Sequence, residues 1–416
     1  MLKKRFKRFN TYDFKELNAA RNVVSSGILS NYLGVWGERF NGGKYVKKFE
    51  KNIEKFFKVK HAVTVNSWTS GLICAVGALN PKPGDEIITT PWTMSATAMS
   101  ILHWNCIPIF ADIDDKTFCL DPSKIEEKIT KKTIAILSVD IGGQSADYEK
   151  LNYIAKKHNI KIISDSAQAP GSLYKNRFTG TLTDIGGFSL NCHKHIHTGE
   201  GGILVTNNNK IAERLRLLRN HGENVNTKKK LRDNPGMIGY NFRLGEIECA
   251  IGIEQLKKLK KIIKGRLKIV NKLNKELSKL KGIVVPSVRK QCTHVYYVYK
   301  IRIDRSLTGI SRDKIFSELI KMGIPNISKK YGNLHLLEIF KKMKPFNQKL
   351  FPWSLNGKRA VNRYKRNYSY GSCPVSERLN KNEYIGFEVC SNQLDEKELD
   401  YIIKSFKKIW KKFNIV

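Results

Sequence analysis

Lys194 occupies a position at which a lysine can act as a nucleophile. It follows the apolar, β-favouring run Ile185–Leu190 and precedes the glycine-rich turn Gly199–Gly202, which opens a second such run, Gly202–Thr206. The chain has 75 lysines and arginines, so the residue type alone carries no signal. At the ligand-binding edge of a sheet, however, a lysine is partly desolvated, which favours the neutral amine that attacks an aldehyde.

Asp165 ends another apolar run, Ile160–Asp165, and so places a carboxylate at the end of a strand. Ligands bind beyond the carboxyl ends of strands in open α/β sheets. A carboxylate there can keep the ring nitrogen of a pyridine cofactor protonated, so that the ring accepts electrons from a substrate carbanion. The alternative is that Asp165 only caps the turn that follows the strand.

A third polar segment, Asn66–Gly71, lies between a predicted strand and its helix. It carries the hydroxyl side chains of Ser67, Thr69 and Ser70 at the start of that helix. Such hydroxyls, together with the free backbone amides of a helix N-terminus, suit a phosphate dianion. The alternative is ordinary capping of the helix.

These three features require a sheet that brings distant strand ends together. Apolar extended runs alternate with helical ones in the first half of the chain, which predicts an α/β fold with a mainly parallel sheet between helices. The predicted strands are His61–Asn66, Glu86–Thr90, Ile107–Ile113, Thr133–Val139, Ile160–Asp165, Ile185–Leu190 and Gly202–Thr206. The predicted helices are Ser70–Leu79, Ser95–His103, Pro122–Ile129 and Tyr148–Lys157. Too few residues separate the last two strands for a helical crossover, so we expect one of them to run antiparallel.

A chain of 416 residues exceeds what one hydrophobic core usually serves. We therefore predict a large domain over residues 1–280 and a smaller α+β domain over residues 281–416. The helix Leu244–Leu280, with one apolar stripe, is expected to link them. The smaller domain is predicted to contain the strand His294–Ile303, the helices Arg312–Met322 and Glu396–Phe413, and the basic irregular segment Phe340–Ser369.

The formal charge of +38 favours anionic partners. A general bias toward lysine, combined with a phosphate-bearing ligand, is the favoured interpretation. The alternative is a nucleic-acid-binding protein that uses the basic runs Lys228–Arg232 and Lys257–Lys268. Neither run contains the interleaved aromatic residues of a base-stacking surface, so we expect no nucleic-acid partner.

Several features predict a soluble, cytoplasmic protein. The eight cysteines are scattered without CxxC spacing, which fits a reducing compartment. The basic N-terminus lacks the apolar stretch of a signal peptide. No run approaches the roughly 20 apolar residues of a membrane span, so no membrane partner is expected.

His193, His195 and His197 alternate beside Cys192 and could ligate zinc. No fourth ligand has suitable spacing, and the lysine explains the segment better. We therefore expect no metal, and the histidines are interpreted as polar lining of a cleft.

Short motifs recur in a fixed order over nearly the whole chain. They are Asn66-Ser67, Thr69, Pro83–Glu86, Ala111–Asp114, Gly143-Gln144, Ala146-Asp147, Asp165, Ala167-Gln168, Phe188-Ser189, Lys194, Ile196, Thr198–Gly202, Arg219–Gly222, Gly239–Arg243 and Ala250–Gly252. In this order they resemble the DegT/DnrJ family of sugar aminotransferases, which are fold-type I pyridoxal-phosphate (PLP) enzymes.

The resemblance implies an aspartate-aminotransferase-like fold in which Lys194 forms the Schiff base with PLP and Asp165 contacts the pyridine nitrogen. It places Gln168 beside the cofactor ring. The other residues that it assigns to cofactor binding are Ser67, Thr69, Ser70, Met94, Ser189 and Asn241. Asn241 reaches across from a partner subunit, which implies a homodimer with shared active sites.

The sequence departs from the family pattern at three points. Trp68 replaces a small residue, and the segment Asn191–His193 before the lysine differs from the commoner version. Met94 replaces the aromatic residue that stacks on the ring, and Trp92 is the alternative for that contact. Relatives with histidine in place of the lysine perform dehydration, so the presence of Lys194 favours transamination.

The resemblance implies transfer of an amino group from an amino acid, L-glutamate in most members, to a keto substrate, with Lys194 as base and acid for the proton shift. The expected substrate is a nucleotide-linked keto-deoxysugar for polysaccharide, capsule or glycan synthesis. The alternative is a small phosphorylated ketone, dihydroxyacetone phosphate, which yields serinol phosphate. The segments Tyr32–Gly43 and Phe340–Ser369 are expected to line the substrate site. The candidate substrate-binding residues are His193, His195, Tyr331 and His335.

Overall fold

The structure, a computed structural model, describes residues 6–35, 37–222, 237–345 and 348–415. Its α-helices are α1 (Phe14–Ser25), α2 (Lys44–Phe57), α3 (Trp68–Ala78), α4 (Ser95–His103), α5 (Tyr148–Lys157), α6 (Asn209–Arg219), α7 (Glu246–Leu277), α8 (Arg305–Thr308), α9 (Arg312–Lys321), α10 (Glu338–Lys341), α11 (Gly357–Asn367), α12 (Pro374–Arg378) and α13 (Glu396–Lys412). Its strands are β1 (His61–Val65), β2 (Glu86–Thr89), β3 (Ile107–Phe110), β4 (Thr133–Val139), β5 (Lys161–Asp165), β6 (Leu173–Tyr174), β7 (Arg177–Phe178), β8 (Ile185–Ser189), β9 (Gly202–Thr206), β10 (Ile283–Val284), β11 (Tyr299–Ile303), β12 (Ile327–Ser328) and β13 (Tyr384–Phe387).

The central element is a seven-stranded sheet with the order β1-β9-β8-β5-β4-β2-β3. β9 pairs antiparallel with β1 and with β8, whereas the other neighbours pair parallel. This confirms the predicted mixed, mainly parallel sheet and identifies the last strand as the antiparallel one. The connection between β8 and β9 is too short for a helical crossover, so the chain reverses direction there.

The strand directions bring three predicted site residues to one edge of the sheet. β1, β5 and β8 run in the same direction, and Ser67, Asp165 and Ser189 lie at or just beyond their carboxyl ends. Gly202, the first residue of β9, pairs with Val65 on one side and with Ser189 on the other. The polar residues that are far apart in sequence are therefore neighbours at this edge.

A second, antiparallel sheet with the order β10-β11-β13-β12 forms the predicted smaller α+β region. Its core includes side chains from α9, α13 and the last turns of α7. The hydrophobic core around the seven-stranded sheet also contains side chains that follow residue 330, among them Phe340, Trp353 and Tyr364. The division of the chain at residue 280 therefore stays a prediction. Over the described ranges, no helix has the length and apolar character needed to cross a bilayer.

Pro122–Ile129 and His294–Ile303 are among the predicted elements that are wrong in type or extent. Pro122–Ile129 forms two separate 3-10 turns, Pro122–Lys124 and Glu126–Lys128. A short span that buries only Pro122 and Ile125 does not offset the cost of nucleating an α-helix. In His294–Ile303 regular strand pairing begins only at Tyr299, because Tyr296 has a left-handed φ of 51° that turns the chain.

The predicted irregular segment Phe340–Ser369 instead contains α11. Its short apolar stripe, Val361 and Tyr364, is hidden among basic residues in the sequence. The helix ends with Asn367, whose side-chain amide accepts from the N–H of Phe110 and donates to the Phe110 carbonyl, both at 2.8 Å. These bonds satisfy the exposed edge of β3, so the segment closes one side of the large sheet.

Candidate active site

Asp165 lies at the end of β5 with only 5% of its surface exposed. Trp68 Nε1 donates to Oδ1 at 2.7 Å, and Thr97 Oγ1 donates to Oδ2 at 2.8 Å. The backbone N–H of Ala167 also donates to Oδ1, at 3.2 Å. Burial raises the pKa of Asp165, while these hydrogen bonds and the charge of Lys194 act in the opposite direction. Capping of the turn after β5 therefore explains the bond from Ala167 but not the bonds from Trp68 and Thr97.

Lys194 lies in the connection between β8 and β9, partly buried, with Nζ 4.4 Å from the centre of the Tyr297 ring. Burial lowers the pKa of Lys194, and the negative charge of Asp165 is the largest opposing influence. The loop is fixed by backbone bonds, including Thr198 N to the Leu190 oxygen at 3.0 Å. Lys194 is therefore held as an amine that loses its proton more readily than an exposed lysine.

The N-terminus of α3 is rich in hydroxyl groups, as the sequence predicts. Ser67 is the N-cap residue, and its Oγ accepts from the N–H of Ser70 at 3.0 Å. Ser70 Oγ donates to Asn66 Oδ1 at 2.7 Å, whereas Thr69 is exposed. A Cβ atom at Gly202 would lie 2.8 Å from both the Ser67 oxygen and the Trp68 nitrogen, so β9 begins directly against this turn. Capping and anion binding are compatible here, because other first-turn amides stay available.

Gln168 lies in the turn after β5 and is fixed by two bonds. Its Oε1 accepts from the N–H of Gly142 at 2.6 Å, and its Nε2 donates to the hydroxyl of Tyr331 at 2.8 Å. The Tyr331 ring stacks on Trp92 with 6.1 Å between centroids. Tyr331, predicted as a substrate residue, is thus adjacent to Gln168.

The remaining predicted cofactor residues lie at the margins of this group. Ser189 is buried at the end of β8 and accepts from the N–H of Asn191 at 3.2 Å. Asn241 is exposed and forms a β-bridge with Asn220. Met94 caps α4 and is 65% exposed, whereas the alternative Trp92 is buried in an aromatic cluster. Which of these two contacts the cofactor stays a prediction.

The predicted substrate histidines are not brought together. His193 is exposed, whereas His195 is fully buried with Nε2 2.9 Å from the Val295 oxygen. His335 is also fully buried and pairs with Glu377 at 2.9 Å. Neither buried ring offers a nitrogen to solvent, so both have structural contacts in this chain.

The metal and nucleic-acid alternatives can be compared with the geometry of the described residues. His197 pairs with the hydroxyl of Tyr12 at 2.8 Å and so does not converge with His195. Within the described ranges, no group of three or more histidine, cysteine or acidic side chains could hold a metal ion. The basic run Lys228–Arg232 lies outside the described residues. In the other run, Lys257 and Lys258 pair with acidic side chains.

Three residues around the predicted pair were missed by the sequence analysis. Thr97 reaches Asp165 from the first turn of α4, and a polar residue after β2 is the only local signal for it. Tyr297 reaches Lys194 from a loop of the smaller region, which no local pattern predicts. Trp68 was recognised only as a departure from the family pattern, and its indole nitrogen is a direct partner of Asp165.

The chemical groups at Asp165, at the start of α3 and at Lys194 indicate which ligand the site can hold. Among the described residues no lysine or arginine forms an ion pair with Asp165, and a buried carboxylate without such a partner is costly. The position therefore suits a protonated nitrogen, while the start of α3 suits a phosphate and Lys194 suits an aldehyde. PLP carries all three groups, so the residues present fit it. Fold and site are those of a PLP-dependent transferase.

Comparisons with known proteins agree with this class. Residues 35–361 match the DegT/DnrJ/EryC1/StrS aminotransferase family, and the chain belongs to that family. It is therefore a PLP-dependent aminotransferase, which confirms the predicted family, fold, cofactor and type of reaction.

Individual relatives cover most of the chain. The spore coat polysaccharide biosynthesis protein SpsC of Bacillus subtilis is 32% identical over 361 residues, which are 85% of this chain and 88% of that protein. The GDP-perosamine synthase of Caulobacter vibrioides is 34% identical over 283 residues, or 68% and 75% of the two chains. The solved structure of Helicobacter pylori PseC, an aminotransferase involved in the biosynthesis of pseudoaminic acid, has a TM-score of 0.79 at 27% identity. It covers 98% of this chain and 100% of that chain.

Replacing Asp165 with asparagine tests the role of its charge. D165N keeps the shape of the side chain but removes the negative charge that is predicted to pair with the ring nitrogen of PLP. We expect kcat/KM to fall on the order of 10²- to 10³-fold, as for the loss of one partner of a buried ion pair. PLP should still attach to Lys194, which absorbance spectra will show.

A matched control lies at the other end of β5. Asp184 accepts from the N–H of Ile162 at 2.9 Å and pairs with Lys161. D184N removes a similar charge at the opposite edge of the sheet and should leave kcat/KM within about twofold. Equal activity of D165N and D184N would contradict the assignment of Asp165.

Proposed function

We propose that this aminotransferase moves an amino group from an amino acid, L-glutamate, to a nucleotide-linked keto-deoxysugar that is used in polysaccharide or glycan synthesis. The name of the Caulobacter relative, GDP-perosamine synthase, refers to a nucleotide-linked amino sugar, and SpsC is named for polysaccharide synthesis. Both names support the proposed substrate class. The alternative substrate, a small phosphorylated ketone, is tested in parallel in the experiment described below.

The observation that carries the proposal is the partly desolvated Lys194 on the same sheet edge as Asp165. PLP, when bound, withdraws electrons from the substrate carbon that exchanges its amino group. Lys194 is suited to take and return the proton at that carbon because its amine loses its own proton readily. Asp165 would stabilise a proton on the ring nitrogen. Gly142 and Tyr331 fix the side chain of Gln168, which would lie beside the ring.

We place this reaction in the cytoplasm. All eight cysteines lie in the described part of the chain and are unpaired. Free cysteines are typical of proteins that work in a reducing compartment.

The two half-reactions can be tested separately. The purified holoenzyme is treated with L-glutamate until the absorbance of PLP is replaced by that of its amino form, and excess glutamate is removed. Nucleotide-linked keto-deoxysugars and dihydroxyacetone phosphate are then added in parallel. We expect a keto-deoxysugar, and not dihydroxyacetone phosphate, to restore the original spectrum.

The outcomes separate the parts of the proposal. Recovery with dihydroxyacetone phosphate alone would contradict the sugar substrate, and no change with glutamate would contradict the donor. K194A serves as the control, because it lacks the amine and should show neither half-reaction.

We further propose a homodimer in which each subunit contributes Asn241 to the phosphate site of the other. Apolar side chains are exposed on α1 and on the segment that follows it; they are Phe14 (65%), Leu17 (69%), Ile28 (54%), Leu29 (50%) and Leu33 (45%). The Leu29 oxygen accepts from the N–H of Glu246, and the Leu33 oxygen accepts from Asn220, the bridge partner of Asn241. An exposed apolar surface beside Asn241 is typical of a subunit interface.

A pair of leucine variants tests the dimer. Leu29 and Leu307 are 50% and 51% exposed, but Leu307 lies on α8 in the smaller region. In sedimentation at micromolar concentration, the wild type and L307D should have about twice the chain mass of 47.6 kDa. L29D should dissociate at least tenfold more readily, because a buried charge opposes association. A monomeric wild type, or equal behaviour of both variants, would contradict the proposed interface.

A further inference from the structure

Trp68 is a bulky residue at the first position of α3, and the surrounding chain is shaped to receive it. Its side chain is buried, with 6% exposed. A Cβ atom at Gly187 would lie 2.3 Å from Cζ3 of the indole, and one at Gly71 would lie 2.8 Å from Cε3. Glycine at these two positions therefore makes room for the ring. A fixed ring can aim its N–H group reproducibly.

The indole N–H is directed at one oxygen of Asp165. A carboxylate offers about four positions to hydrogen-bond donors. The Trp68 indole and the Ala167 amide occupy Oδ1 at 2.7 and 3.2 Å, and the Thr97 hydroxyl occupies one position of Oδ2 at 2.8 Å. Thr97 is itself held by Thr93, with 3.0 Å between their hydroxyl oxygens. The protein thus fills three positions and leaves a position on Oδ2.

We propose that Trp68 is a positioning residue: together with the Thr97 hydroxyl, its indole N–H keeps Asp165 charged and holds the carboxylate with one acceptor position free for the ring nitrogen of PLP. This inference rests on the proposed contact between Asp165 and that nitrogen.

The physical reason is the competition between burial and hydrogen bonding. Burial favours the neutral form of Asp165, and each charge-assisted hydrogen bond favours the charged form. One such bond changes proton affinity by about 10- to 100-fold. Without the indole N–H, Asp165 would more readily take the proton from the ring nitrogen. The ring would then withdraw electrons less effectively, and its attraction to Asp165 would weaken.

The variant W68F tests the role of the N–H, because phenylalanine retains an aromatic ring between the two glycines and lacks the donor. We expect the Kd of PLP to rise about tenfold and kcat to fall about 10- to 100-fold, with a smaller change in KM. The pH at which the absorbance of bound PLP changes should move upward, because a ring without positive charge lets the nitrogen attached to Lys194 keep its proton. Values equal to those of the wild type would overturn the proposal.

Trp104 provides a matched control. Its Nε1 donates to the Ile73 carbonyl at 2.8 Å, and its ring also packs against a glycine, Gly77. W104F removes the same kind of bond away from Asp165 and should leave the Kd of PLP and the absorbance profile unchanged. If W104F produces the shifts expected of W68F, general loosening of the fold is the cause and the proposal fails.

The double variant W68F/D165N separates this inference from the assignment of Asp165. If Trp68 acts through the charge of Asp165, W68F should have little further effect on kcat in the D165N background. An undiminished effect would overturn the inference even when D165N alone confirms the role of Asp165. If W68F does not fold, as judged by its thermal midpoint, T97V removes the second donor and must shift the absorbance profile in the same direction. No shift in T97V would overturn the proposal.

Discussion

The proposed active site depends on a buried carboxylate that must carry its charge to bind a protonated ring nitrogen. Burial acts on Asp165 and Lys194 in the same sense, since it favours the neutral form of both groups. The contacts of the two side chains differ. Asp165 receives hydrogen bonds from Trp68, Thr97 and the backbone, whereas the lysine nitrogen lies over the ring of Tyr297. Burial still raises the pKa of Asp165 and lowers the pKa of Lys194, but the three hydrogen bonds favour the charged form of the carboxylate, which is the form that a protonated ring nitrogen needs as its partner.

The topology of the sheet makes this combination possible. Strands β1, β5 and β8 end at one edge, so the hydroxyl-rich start of α3, the carboxylate of Asp165 and the loop of Lys194 converge although more than 120 residues separate the first from the last. The antiparallel strand β9 returns at that edge and begins with Gly202, where any side chain would collide with Ser67. Tyr297 and Tyr331 complete the surroundings from beyond α7, so the site depends on contacts between both regions of the chain.

Local sequence patterns predict the elements of this fold well and their mutual contacts poorly. β4, β9, α4 and α5 have the predicted boundaries, because the apolar pattern of each lies within the element itself, and the N-cap Asp147 marks the start of α5. Lys194 and Asp165 could be identified because Asp165 ends a recognisable strand and Lys194 follows another. The bond from Trp68 to Asp165 spans 97 residues, and no spacing in the sequence encodes it. For His195 and His335 the sequence predicted substrate-binding residues from their polar character. In the structure each ring is buried and contacts another residue of the chain.

The most direct test of this account is the identity of the lysine that bonds to PLP. The holoenzyme is reduced with borohydride, digested and analysed by mass spectrometry. The account predicts one reduced pyridoxyl adduct, located on the peptide that contains Lys194. An adduct on a different lysine, or none on that peptide after full loading with PLP, would contradict it.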